Sequence, residues 1–332
     1  MCVILSKKLP SQNGKKFNIF KIRDRGYDVT YRVKTITFKN NITVLYLIDE
    51  FNEWTEGINS KGIMVVSSAL ENHFDEFQEK PSKQYKEFMK KINKRNGIIL
   101  RRALRQITLE DAMQVLIDTL FVGNTLISDG DKCYSLEIAL PKEVFEIDNS
   151  FDDIEEMGFH EFKMQIMKSI KPDDFIVSVK EIKEDLYVKT NHSIDVRGLG
   201  YSTSDVGYKS SMNRRKTTLD KLKDFKGGSL ELVMFLNTLG DDNIDKNQEY
   251  RPIRIKDKID LPNKDKVKQN ISNYYSTDII GLVPNGTLII LPLHSKLKNV
   301  KIDTIQKKSG VSLLILNNES IIRKAYNKIK EK

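Results

Sequence analysis

Cysteine is scarce in this chain: Cys2 and Cys133 are the two among 332 residues. Two thiols do not make a disulfide framework, so a reducing, cytoplasmic setting is expected. Histidine is nearly as rare. His73, His160, His192 and His294 are scattered without metal-ligand spacing, so neither a metal nor another cofactor is expected. No apolar run approaches the roughly 18 residues of a membrane span, so no membrane-spanning segment is expected. Only Met1 stands ahead of Cys2, and no signal peptide is expected. Charge of one sign is also thin despite a formal net charge of +9. Lysines alternate with acids, as in Lys256-Asp257-Lys258 and Lys264-Asp265-Lys266. Strongly basic stretches are confined to Arg101-Arg102, Arg214-Arg215-Lys216 and the tail over 324–332. Scattered lysine describes a solvated face, so no nucleic-acid partner is expected.

What is present fits a globular chain long enough to bury a large core, with 39% hydrophobic and 30% charged residues. Strands are expected over 2–6 and 16–22, joined at Ser11-Gln12-Asn13-Gly14, whose Asn-Gly pair favours a hairpin turn. Further strands are expected over 30–39, 42–48, 53–58 and 63–69. Helices follow over 84–92, 98–106 and from Thr108 onward. Thr108 is placed as N-cap with Asp111 three residues on, and Leu109, Ala112, Met113, Leu116, Ile117 and Leu120 share a face. Gly123 is expected to end that helix as its C′ residue. Strands return over 124–128 and 132–139, with Cys133 an inert core residue, then over 175–182 and 186–190. Helices are expected over 210–225 and 230–239, a polar excursion over 240–270, and a second hairpin around Pro284-Asn285-Gly286. A strand at 312–316 and an amphipathic helix carrying Ile321, Ile322, Ala325 and Ile329 close the chain. No linker or repeat divides it, so one domain over 2–332 is expected. This order of strands and helices fits two sheets packed together with helices outside.

Chemistry is expected first at Cys2. Cysteine is small enough for Met1 to be removed ahead of it. The product would carry a thiol and a free α-amino group on one residue, a nucleophile and a base with reference pKa values of about 8.5 and 8. A carboxylate in Lys21-Ile22-Arg23-Asp24-Arg25, at the end of the second strand, can lie beside that terminus. Asn191, where a strand runs into polar residues, can donate to a developing oxyanion. Ser210-Ser211-Met212-Asn213-Arg214-Arg215 brings guanidinium groups that can stabilise a thiolate or bind a carboxylate.

Cys2, Asp24, Gly57-Ile58-Asn59-Ser60-Lys61-Gly62 and Thr190-Asn191 occur in the order seen in N-terminal-nucleophile hydrolases. The chain resembles the branch holding choloylglycine hydrolases, penicillin V acylases and the acyl-coenzyme A:6-aminopenicillanate acyltransferase type. The stretch 124–137 and Ser210 to Arg215 look more like the acyltransferase side. The resemblance implies an α+β fold, a four-layer αββα sandwich with two mainly antiparallel sheets. It implies Cys2 as nucleophile and base, Asp24 as the carboxylate positioning the amine, and Asn191 in the oxyanion hole. It also implies an arginine near the thiol, either Arg214 or Arg215. Lys21 stands where choloylglycine hydrolases have an arginine. Ser68-Ala69 stands where they have an asparagine, a contribution then left to the backbone. Lys21, Ser68, Ala69 and Trp54 are therefore placed against the substrate. The pocket is expected from Phe51 to Trp54, the segment after His73 and the region near Tyr201.

The expected activity is hydrolysis of a linear, non-peptide amide of an N-acyl conjugate through an acyl-Cys2 intermediate. An acyltransferase on the same scaffold, or a non-catalytic binding protein using the basic surface, are the alternatives. Relatives are often dimers or tetramers, so a homo-oligomer is an open state.

Overall fold

The computed structural model describes residues 2–12, 14–70, 83–139, 176–195, 206–239, 252–253, 275–298, 306–308 and 310–316. The excursion expected over 240–270, apart from 252–253, lies outside the described residues. So do the C-terminal helix and the pocket segments after His73 and around Tyr201.

Among the described residues two sheets form, the first of seven strands, numbered in chain order. They run β10 (Leu186–Lys189), β1 (Cys2–Ser11), β2 (Gly14–Arg25), β11 (Tyr275–Val283), β12 (Thr287–Pro292), β15 (Val311–Ile315) and β14 (Gln306–Lys308). The second has eight: β13 (Lys296–Lys298), β3 (Thr30–Thr37), β4 (Thr43–Asp49), β5 (Thr55–Asn59), β6 (Met64–Ser68), β7 (Gly123–Ser128), β8 (Cys133–Ala139) and β9 (Ile176–Glu181). Neighbours are antiparallel except β12 with β15 and β13 with β3. Four helices accompany them among the described residues: α1 (Lys83–Ala103), α2 (Leu109–Asp118), α3 (Val206–Leu222) and α4 (Ser229–Thr238). The fold is thus mixed α+β, built on two large, mainly antiparallel sheets.

Strand alternation decides where each apolar side chain goes. From β1 and β2, Ile4 and Ile19 point to a core shared with Leu45, Leu47, Met64 and Leu126 of the second sheet. Their neighbours Val3, Phe20 and Ile22 face the other way, onto Leu222 of α3 and Leu232, Val233 and Leu236 of α4. The second sheet likewise turns Tyr46, Ile48 and Val65 toward Ile99 and Leu100 of α1 and Leu116 of α2. Each such side chain stabilises the fold by about 1.5–3 kcal/mol when fully buried.

The Thr108 cap forms as expected, its Oγ1 accepting the Asp111 N–H at 3.1 Å. Two local expectations are corrected. The helix ends before Thr119, and Leu120, not Gly123, takes the left-handed position (φ 52°). The Phe121 N–H then closes the end on Leu116 O at 2.9 Å, and Gly123 opens β7 instead. The two helices expected over 84–106 are one, α1, which runs through Gly97. A Cβ at Gly97 would stand 2.0 Å from the Glu53 carbonyl oxygen, so the glycine is there for close packing and does not break the helix.

Candidate active site

Strand β2 carries two kinds of charge on its two faces. Lys21, Arg23 and Arg25 alternate onto the face turned toward the second sheet, while Asp24 points to the opposite side. Cys2 pairs with Arg23 across the β1–β2 ladder, so its side chain shares the face of the three cations.

Those cations meet acids from three other strands, Glu56, Asp49 and Asp278. Lys21 Nζ binds Glu56 and the Ser67 carbonyl. Arg23 reaches Glu56 Oε1 at 2.8 Å, Asp49 Oδ2 at 3.6 Å and Asp278 Oδ1 at 3.9 Å. Glu56 also accepts the Trp54 indole N–H at 3.1 Å and the Ser67 N–H at 3.3 Å. Tyr31 donates to Asp278 Oδ2 at 2.5 Å, and burial pushes the Asp278 carboxyl upward despite the neighbouring Arg23. Lys21, Arg23, Glu56, Asp49 and Asp278 are all wholly buried. Such ions are tolerated because each one faces an opposite charge; removing a single partner from a buried pair costs about 3–5 kcal/mol.

The thiol responds to this field. Burial alone would raise the Cys2 pKa, but Lys21, the chain's terminal ammonium and Arg25 together outweigh it and hold the thiol below its ordinary value. Arg25 Nη1 lies 4.0 Å from Sγ.

On the other side of Cys2 stands a second constellation. The Cys2 N–H donates to Asn191 Oδ1 at 2.9 Å. Arg214, from α3, reaches Asn191 Oδ1 at 3.2 Å, the Cys2 carbonyl at 3.3 Å and Asp24 Oδ2 at 3.5 Å. Ser276 fixes the other Asp24 oxygen at 2.7 Å. A register shift in β11 between Ser276 and Asp278 lets that strand serve both faces, giving Ser276 to Asp24 and Asp278 to Arg23.

Asn191 is held through its backbone N–H and both polar atoms of its side chain. Its backbone N–H donates to Ser211 Oγ at 3.0 Å, and Nδ2 donates to Ala69 O at 2.8 Å. The preceding carbonyl, Thr190 O, accepts from Ser68 Oγ at 3.1 Å and Asn124 Nδ2 at 2.8 Å. Downstream, Glu137 accepts the Ile194 and Asp195 N–H groups at 2.7 and 2.9 Å and the Ser193 hydroxyl at 2.7 Å. Lys189 completes the carboxylate's shell at 2.8 Å. Burial pushes the His192 imidazole down to about 4, so it is neutral where it meets Thr190 and Ser211.

The structure therefore brings Cys2, Asp24, Asn191 and Arg214 together. Arg215 turns away, its Nε donating to the Val188 carbonyl at 2.9 Å. Lys21, Ser68 and Trp54 are buried and hold their contacts inside the protein, and Ala69 meets Asn191 through its carbonyl. Cys133 sits in the inter-sheet core, where burial raises its thiol to about 12. Among the described residues no cluster of His, Cys, Asp and Glu could hold a metal ion, and no helix is long and apolar enough to cross a membrane. Sequence reasoning missed Arg25, Asp49, Glu56, Ser211 and Asp278. The one available signal was the period-two row Lys21, Arg23, Arg25 beside apolar Ile19, Phe20 and Ile22. Compared with known proteins, the sequence matches no family model and no curated protein.

Proposed function

We propose that this chain is an N-terminal-nucleophile amidohydrolase whose Cys2, freed of Met1, cleaves a linear amide of an N-acyl conjugate. The observation that carries the reading is the two-sided setting of Cys2. Cations crowd the thiol on one face, and on the other Asn191 and Arg214 hold its main chain, with Asp24 behind Arg214. The packing of two sheets face to face, with helices on their outer surfaces, supports a four-layer αββα sandwich for the same reason. That arrangement leaves the first residue of a strand at the end of the inter-sheet core.

In this mechanism the α-amine takes the thiol proton, and the thiolate attacks the amide carbon. The carbonyl π pair moves onto oxygen. Asn191 Nδ2 has two hydrogens and gives one to Ala69 O, so the second is available to that oxygen. The α-ammonium then protonates the leaving nitrogen, the C–N bond breaks, and water releases the acyl group from Cys2. Arg214 keeps the reacting residue in place through its carbonyl, and Asp24 keeps Arg214 in place. Acyl transfer to an amine would share every step but the last.

Intact mass of the purified protein, before and after brief alkylation at neutral pH, tests this directly. Loss of Met1 with a single fast label on Cys2, followed by turnover in a panel of N-acyl amides, is the expected result. Retained Met1, or an unreactive Cys2, would overturn the assignment.

A further inference from the structure

Carbonyl chemistry at Cys2, on which this inference rests, puts negative charge on an oxygen one carbon from the sulfur. That oxygen needs donors at hydrogen-bond distance from where it forms, roughly 3 Å away. The donors around Sγ differ in how far they are already committed. Lys21 Nζ is bound to Glu56 and to Ser67 O. Arg214 is spread over Cys2 O, Asp24 and Asn191. Asn191 Nδ2 has given one of its two hydrogens to Ala69 O.

Arg25 is different. Its Nε faces Asp49 Oδ2 at 3.5 Å, and its Nη1 donates to Asp24 O at 3.2 Å while lying 4.0 Å from Sγ. The Asp24 carbonyl bond and the Asp49 charge hold the guanidinium beside Sγ. Among the described residues no hydrogen bond falls on Nη2. The side chain is 14% exposed, whereas those of Lys21, Arg23 and Arg214 are 0% exposed. Of these four cations Arg25 is therefore the one that reaches solvent. The exposed Phe51 packs on Tyr27 with ring centroids 4.8 Å apart and tilted by 50°, and Tyr27 engages Asp49 as Arg25 does.

We propose that Arg25 is an oxyanion donor of this site, giving a guanidinium N–H to the carbonyl oxygen as Cys2 attacks, alongside Asn191. An arginine suits the task because it is always charged and its donors form a rigid fork. It acts on the oxygen, and so on acyl transfer, over and above any effect on the thiolate.

Two reagents separate these roles without knowledge of the substrate. p-Nitrophenyl acetate acetylates Cys2 through a tetrahedral oxyanion: sulfur bonds to the carbonyl carbon, the π pair moves to oxygen, and collapse expels p-nitrophenolate. Iodoacetamide alkylates the same thiolate by displacing iodide at a CH2 carbon, and no oxyanion forms. Both rates are read at Cys2 by mass spectrometry, on the pH plateau where the thiolate is fully formed. Arg25→Gln is expected to slow acetylation on the order of 10²-fold while leaving alkylation nearly unchanged. Arg25→Lys, which keeps the charge but loses the fork, should show a smaller loss of the same selective kind. It carries the test if thermal melts show that the Gln variant does not fold. Parallel losses with both reagents, or unchanged acetylation, would overturn the proposal and leave Cys2 as nucleophile. A wild-type Cys2 that reacts with neither reagent would remove the nucleophile itself, and this inference with it.

Discussion

Lys189 Nζ lies 2.8 Å from Glu137 Oε1, and neither side chain has any exposed surface. This ion pair is also the anchor of the segment that follows Asn191, because the same carboxylate accepts from Ser193, Ile194 and Asp195. Glu137→Ala should therefore destabilise the fold by about 3–5 kcal/mol, the cost of stranding a buried charge. Replacing both partners, Glu137→Leu with Lys189→Met, should recover much of that stability. It should not recover turnover, since three donors behind Asn191 would still lack their acceptor. Urea melts and rates on the single and double variants check both halves. A double variant as active as wild type would sever Glu137 from the site.

His192 makes an acid-side prediction. Its folded pKa, about 4, lies below the unfolded value of about 6.5. Between those values the unfolded chain binds the extra proton and the folded chain does not, so stability falls as pH drops through that window. The shift caps the loss at about 3 kcal/mol. Glu137 adds to it lower down. Burial opposes the charged form, but Lys189 and the loop donors outweigh it and hold the pKa below the ordinary carboxylate value. Its contribution is present above about pH 4.3 and fades as pH falls through the folded pKa. Denaturant midpoints from pH 7 to 4 should decline, and His192→Gln should flatten the upper part of that decline. An identical slope in the variant would mean that His192 is not the group responsible.

Asn191 and Ser211 should fail in different ways. Asn191→Ala removes a donor to the oxyanion and should lower kcat on the order of 10²–10³-fold with little change in KM. Ser211→Ala leaves the side-chain amide in place but strands the Asn191 N–H that its hydroxyl accepts at 3.0 Å. About 1–3 kcal/mol of stability should go with it. The rate should fall less than for Asn191→Ala, because the amide can still be aimed part of the time. An effect of Asn191→Ala confined to KM would argue for binding and against catalysis.

Gly97→Ala opposes two known quantities. In an exposed helix interior the change should stabilise by about 0.8–1 kcal/mol. Here the new methyl group would sit 2.0 Å from the Glu53 carbonyl, and backbone cannot swing aside as a flexible side chain can. Overpacking of this kind costs about 1–3 kcal/mol or more, so the variant should melt at lower denaturant than wild type. A rise in stability would show that α1 is free to move off the β4–β5 turn.

That glycine marks the kind of feature the sequence hides. Local signals were legible: the Thr108 cap, the turn after β1, the strands flanking Pro284-Asn285-Gly286, and Cys133 as core. The sequence divides α1 into 84–92 and 98–106, and the reason for the Gly97 between them, the Glu53 carbonyl, is distant in sequence. Nothing local in the row Lys21, Arg23, Arg25 says that it is buried, since alternating charge normally marks the wet face of a sheet. Its burial depends on Asp278 of the neighbouring β11 and on Asp49 and Glu56 of the other sheet, and no local pattern announces that meeting. Cys2, Asp24 and Asn191 were legible as candidates through resemblance in order and spacing. Arg25, one residue past Asp24, carried no such mark.

Arg214 and Arg215 give the sharpest contrast, because sequence position leaves them equivalent and geometry does not. Arg214 is wholly buried and within 3.5 Å of Cys2 O, Asn191 Oδ1 and Asp24 Oδ2. Arg215 is half-buried and bonds the Val188 carbonyl. Arg214→Lys keeps a charge but cannot bridge three acceptors with one ammonium on a flexible stem. It should cut turnover at least tenfold and weaken the hold on Asp24, lowering stability as well. Arg215→Lys should change the rate by less than about threefold, since only one exchangeable hydrogen bond is lost, worth about 0.5–1.5 kcal/mol. Steady-state kinetics and melts on the two variants decide it. Equal losses, or a larger loss at Arg215, would mean that α3 presents a different face to Cys2 during turnover than the one it presents in this structure.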